Sequence, residues 1–325
     1  YLHLEVTTQA SSSYIGFNML DPVVGGDSER ARKLRQALSV AVDVEEMISI
    51  FSNGRGVPAQ GPIPPGIFGS VDGEAGINRV VYDWQHGRPV RKSLAAAQAL
   101  LAEAGYPDGK DPATGEALTL NFDAAAAGPD AKPLFNWYRK QFAKLGLRLV
   151  IRLTDYNRFQ DKMIHGSAQI FAWGWNADYP DPENFLFLLY GPNGKVQHQG
   201  ENASNYTNPE FDRLFVAMRG MPSGPARQAV IDRMLAIVRR DAPWIWGVHP
   251  QAYALAHQWV GNAKPNLMAR NTLKYRRVDV ARRAALRREW NAPVWWPLAG
   301  LAAALGAGGI AAHRSWRRRQ QARLA

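Results

Sequence analysis

The sequence predicts an α/β protein, a mixed and mainly parallel sheet with helices packed on it, followed by one apolar helix at the C-terminus. Three observations predict this. Between Ala117 and Trp173, strand-like and helix-like stretches alternate as βαβαβ, and parallel strands joined by helical crossovers are the solution that buries both. The composition, 46% hydrophobic and 10% aromatic over 325 residues, supports a large core. Residues 292–312, APVWWPLAGLAAALGAGGIAA, form a 21-residue run without a charge, long enough to be read as a membrane span.

In chain order, 1–19 reads as strands. Asp27, Ser28 and Glu29 start a helix whose apolar face is Leu34, Ala37, Leu38 and Ala41. Asp43 caps the next helix, with Glu46 three residues on in a capping-box pattern. The stretch from Gly56 to Gly69 is rich in Pro and Gly and reads as a loop. Ser93 to Ala104 is helical and closed by Gly105. A strand over 117–123, a helix over 130–145 ending at Gly146, a strand over 147–153, a helix over 156–165 and a strand over 168–173 make the alternating unit. Helices follow over 208–219 and 225–240, and 244–255 reads as a strand.

The net charge of +11 suggests nucleic acid until it is located. Lys274 to Glu289 carries a net +5, and five arginines after Ala312 add +5. The first 273 residues are therefore nearly neutral, whereas a nucleic-acid-binding domain carries its basic stripe on the folded body. Charge flanking one apolar run fits a lipid boundary, with Trp295 and Trp296 as interfacial aromatics. The absence of Cys excludes disulfides and thiolate metal sites. The seven histidines are scattered without metal-ligand spacing, and no G-x-S-x-G, H-E-x-x-H or P-loop pattern occurs. Enzyme chemistry, metals and cofactors are therefore not expected.

Several segments, taken in order, carry a family resemblance: YIGFN (14–18), LRQALSVAVD (34–43), VPAQGPIPP (57–65), LLAEAGY (100–106), WNADYPDP (175–182) and NYTNPEFD (205–212). Together they resemble the family 5 bacterial solute-binding proteins, the dipeptide- and oligopeptide-binding group. The resemblance covers about Tyr1 to Val278. It implies the periplasmic-binding-protein-like fold of type II, in which two lobes close on a ligand, and it makes this chain the C-terminal lobe. The expected organisation is then 1–13 as the end of first-lobe strands, 14–250 as the second lobe and 251–279 as return strands. A basic juxtamembrane segment (280–291), a transmembrane helix (292–312) and a basic tail (313–325) follow. With a strand at the start and no initiating Met, the N-terminal part is expected to lie outside this sequence. Two departures stand out. The family's stretch before the LLaeAG helix is VRKSLA here (90–95), and a C-terminal membrane anchor is atypical.

The resemblance also implies function: an extracytoplasmic component of an ABC transporter that captures a peptide or similar solute by hinge closure, near 14–18 and 252–257, and hands it to permease subunits. The expected place is the inner membrane, with the folded body outside. A membrane-tethered sensory module is the alternative, and no nucleic acid is expected as a partner. In resembling peptide binders, the residue matching Asp178 holds the ligand's α-ammonium, with the residue matching Trp175 beside it. On this chain's residues alone, Asp178 is a ligand contact or a loop-fixing Asp, and Trp175 a pocket wall or core. Asp181 before Pro182 fits a helix cap with Pro at the first helical position, a structural role. Lys132 and Arg139, on or near the helix after strand 117–123, are candidates for a ligand's carboxylate or ordinary solvated charges.

Overall fold

The computed structural model describes residues 2–125, 128, 131–264, 266, 268 and 271–324. The expected helix start at Asp130 and strand start at Tyr1 lie outside them. The chain divides into two compact units: a large one, Leu4–Leu255 with Lys264–Asn271, and a small one, Tyr1–His3, Ala256–Ala263 and Thr272–Ala325.

In order come β1 (Leu2–Thr8), β2 (Ser11–Phe17), α1 (Glu29–Ala41), α2 (Val44–Phe51), β3 (Gly56–Pro58), β4 (Tyr82–Gln85), β5 (Arg88–Arg91) and α3 (Leu94–Glu103). Then follow β6 (Thr119–Ala125), α4 (Lys132–Ala143), β7 (Arg148–Thr154), α5 (Tyr156–Ile164), β8 (Ile170–Asn176), α6 (Glu183–Leu186), α7 (Lys195–His198), α8 (Pro209–Arg219) and α9 (Pro225–Asp241). The chain ends with β9 (Trp244–Trp246), β10 (Val248–His257), β11 (Val260–Gly261), β12 (Arg277–Val278), α10 (Val280–Trp290) and α11 (Trp296–Leu324).

Local chemistry sets the helix starts. Ser28 Oγ accepts the Ala31 N–H at 3.2 Å, and Asp43 Oδ1 accepts the Glu46 N–H at 2.9 Å. Each satisfies an N–H that the first turn leaves without a carbonyl. The central sheet has the order β7-β6-β8-β2-β9. β6 runs parallel to β7 and β8, while β2 runs antiparallel to β8 and β9. The sheet is mixed, and the carboxyl ends of β6, β8 and β9 share one edge with the amino end of β2.

Alternation along the strands divides the apolar side chains between two cores. Ile15, Phe17, Ile170 and Ile245 join the core beneath α1, α3 and α4. Tyr14, Phe171, Trp244 and Trp246 join the core packed by Phe159 of α5, Phe211 of α8 and Met234 of α9. Gly16 is opposite Phe171, whose ring lies where a Cβ would be.

In the small unit, α10 starts at its cap Asp279, and His257, Trp259 and Trp290 stack together, with 4.0 Å between the first two ring centroids. The expected membrane span over 292–312 needs correction. The helix begins only at Trp296 and runs on through the Arg-rich tail. Among the described residues, no helix is long and apolar enough to cross a membrane. The reason is composition. Between 296 and 312, Pro297 and four glycines dilute the aliphatic side chains, so the absence of charge overstates the hydropathy.

Candidate functional site

Parallel strands present their carboxyl ends, and the loops that leave them, to one edge of a sheet. Ligands of open α/β folds bind there. At this edge lies a cavity of about 610 Å³, walled by Ala125 at the end of β6, Tyr156 and Phe159 of α5, Trp173 and Trp175 of β8, and Asp178. The volume is in the range of small-molecule sites, ~300–1,000 Å³.

Trp175 pairs across the sheet with Ser12. Its ring meets Phe187 edge to face at 5.2 Å, and its indole N–H donates to Asn184 Oδ1 at 3.3 Å. One edge is thus held by protein while the half-buried ring walls the cavity. The same Asn184 oxygen accepts the Asp178 backbone N–H at 2.8 Å. Asn184 is buried and fixes the loop between Trp175 and α6.

Asp178 is fixed through its backbone and left over at its side chain. It is exposed, and its carboxylate has no hydrogen bond or ion pair among the described residues. Asp181, three residues on, is consumed. Its carboxylate receives both Nη groups of Arg227, at 2.7 and 2.8 Å, and the Glu183 N–H at 2.9 Å. Burial would raise the Asp181 carboxyl, but these donors outweigh it and hold the group below the usual carboxylate range. The expected cap needs correction: α6 starts at Glu183, so the cap position falls on Pro182 and the proline is not the first helical residue, and Asp181, one residue earlier, holds the Glu183 N–H.

Two further charges line the cavity. Lys195 is buried, donates to Glu201 at 3.1 Å and stands 5.5 Å from the centre of the Trp173 ring. The pair nearly cancels, and Asp178 gives the cavity its excess negative charge. Opposite Trp173 and Trp175 on β2 are Tyr14 and Ser12, whose buried hydroxyls have no hydrogen-bond partner among the described residues. Burial, with Glu201 nearby, pushes the Tyr14 phenol far up, so it stays protonated. Lys132 opens α4 and is exposed, while Arg139 is exposed and donates to Asn136 at 2.8 Å. Neither lines this cavity. Among the described residues, no group of three or more His, Cys, Asp or Glu could hold a metal ion.

The structure thus brings Trp175 and Asp178 together, sets Asp181 and Pro182 behind them, and leaves Lys132 and Arg139 outside. Sequence reasoning missed Asn184, Lys195 and Glu201. Asn184 had a local signal: a polar residue in the first turn after Pro182 that caps nothing. Lys195 and Glu201 had none, because only the turns between α6 and α8 bring them to the cavity.

Known proteins resemble this chain in sequence and fold. Residues 2–197 match the model of the bacterial extracellular solute-binding proteins, family 5. The heme-binding protein A of Haemophilus influenzae is 28% identical over 68% of this chain and 37% of its own length. Among solved structures, HbpA2 of Haemophilus parasuis superposes with a TM-score of 0.65 at 23% identity, covering 82% of this chain and 48% of that one. The periplasmic binding protein DppA of Helicobacter pylori, in complex with the peptide STSA, gives 0.62 at 20%, covering 80% and 45%. At those identities the structures speak for the fold alone. This chain spans less than half the length of each of these relatives. The match over more than half of its residues nevertheless shows that the chain belongs to the family 5 bacterial extracellular solute-binding proteins.

Proposed function

We propose that the chain is one wall of an extracytoplasmic binding site for peptides with a free amino terminus, and that the protein delivers such a ligand to ABC permease subunits. The observation that carries this is the Asp178 carboxylate, exposed, unpartnered among the described residues, and positioned through its own backbone N–H beside Trp175. An α-ammonium group supplies the missing donors in a charge-assisted hydrogen bond. Closure of a second lobe over the edge excludes water and strengthens that contact. Relatives named for dipeptides and di/tripeptides support the ligand class. In this reading the basic residues of α10 and of the tail lie against anionic headgroups, where each Lys or Arg adds ~1 kcal/mol.

The test is calorimetry on the complete gene product, with one peptide offered free and N-acetylated. Acetylation is expected to weaken binding at least about tenfold, and Asp178→Asn to remove most of that difference. Equal affinities for the two forms would sink the proposal.

A further inference from the structure

The edge that carries Asp178 has a second half. A cavity of about 350 Å³ lies beside the first, and the two share Ala172 and Trp173 in their walls. Its chemistry is opposite. Val42, Val44, Met47 and Phe51 approach from α2 and the turn before it, and Leu134 and Tyr138 from α4.

Two of the polar side chains in this wall, Tyr138 and Ser13, are turned to protein partners. Tyr138 Oη donates to Met47 Sδ at 3.3 Å. Ser13 Oγ accepts the Val248 N–H at 3.1 Å and donates to the Val248 carbonyl at 3.3 Å. Meanwhile Met47, Phe51, Leu134 and Val248 are only partly buried. The cavity therefore offers mainly apolar surface, while the Tyr14 hydroxyl in its wall has no partner among the described residues.

We propose that this recess takes a bulky apolar side chain of the same ligand whose ammonium meets Asp178, so that the preferred peptides carry a Phe- or Leu-like residue near the amino terminus. The inference rests on the peptide-binding reading and sharpens it. Continuity argues for one occupant, because the two cavities meet at Ala172 and Trp173 on one sheet edge, so a ligand anchored at Asp178 extends into the recess without leaving the wall. Size agrees, since an apolar cavity of ~150 Å³ already holds a benzene ring.

The experiment is calorimetry on the complete gene product with triglycine and with three tripeptides in which Phe replaces each glycine in turn. Burial of one such side chain predicts that Phe at one position tightens binding at least about tenfold over triglycine. Leu134→Asp, which puts a charge into the recess, is expected to collapse that ratio to about one. Met47→Ala, a milder change in case the first variant does not fold, is expected to reduce it. If triglycine binds and Phe gives no gain at any position, the recess is not a ligand site. A gain that Leu134→Asp leaves intact in folded protein overturns the assignment to this recess. If no peptide binds, acetylated or free, the peptide reading itself fails, and this inference with it.

Discussion

The cavity around Asp178 and the one around Arg35 are similar in size, about 610 and 490 Å³, and opposite in what they leave over. Arg35 is almost wholly buried, and its guanidinium is spent on backbone carbonyls: Asp241 at 2.8 and 3.0 Å, Val24 at 2.8 Å and Gly26 at 3.0 Å. Burial pushes its pKa down to about 10, against the opposing pull of Asp241. The Asp241 carboxylate is spent as well, accepting from Tyr206 at 2.7 Å, Arg240 at 2.9 Å and Asn208 at 3.0 Å. Around Asp178 the backbone is satisfied and the charge is not. Volume does not separate a site from a structural joint; the hydrogen bonds left unmade do.

This contrast gives the largest expected effect to Arg35. Arg35→Met keeps much of the volume but removes the donor that the Asp241, Val24 and Gly26 carbonyls share, the Val24 one buried. Loss of a buried, fully hydrogen-bonded charge costs about 3–5 kcal/mol. Urea denaturation at neutral pH should show that loss, while Asp178→Asn should stay within about 0.5 kcal/mol of the parent. Equal losses in the two variants would erase the distinction between the regions.

His249 shows a third treatment of a titratable group. On β10 it is buried, with Nδ1 3.0 Å from the Ser11 carbonyl, and burial lowers its pKa from 6.5 to about 4 although that hydrogen bond opposes the shift. The ring is therefore neutral in the folded protein at pH values where the unfolded chain is protonated. Its contribution is complete above pH ~6.5 and is lost as pH falls towards ~4, on the order of 3 kcal/mol in all. Denaturation between pH 7 and 4 should show this slope, and His249→Gln should flatten it. An unchanged slope would mean that the ring gains its proton without unfolding.

How much of this was legible in the sequence depends on how far the decisive partner lies along the chain. The caps at Ser28 and Asp43 bond three residues ahead, and those helices begin where expected. The βαβαβ unit was visible because strand and helix periods differ within short windows. β8 runs to Asn176 rather than stopping at Trp173, because its last residues find partners on β2, more than 150 residues away. The β4–β5 hairpin was invisible: its strands are short and polar, and it turns at His86 and Gly87, both with positive φ. Asp181 next to Pro182 read as a cap, but its main partner, Arg227, comes from a helix that no local window includes. For α11, counting charges stood in for measuring hydropathy, and Pro297 and the glycines separate the two quantities.

The smallest expected effect tests the contrast from the other side. Lys132 resembles Asp178 in being exposed and without a hydrogen bond or ion pair among the described residues, while Arg139 holds only Asn136 on its own helix. If a charge left unpaired were enough to make a site, Lys132 would qualify as well as Asp178. It lacks concavity, because neither residue lines the cavity at the sheet edge, and each cation is exposed to water. A ligand carboxylate brought there would exchange hydration for a contact screened by solvent, worth ~0–1 kcal/mol. Lys132→Ala and Arg139→Ala should therefore leave peptide affinity within about fivefold and the melting temperature nearly unchanged. A tenfold or greater loss for either, measured against the same free and acetylated peptides, would show that the ligand reaches across α4 and that the cavity is only part of its footprint.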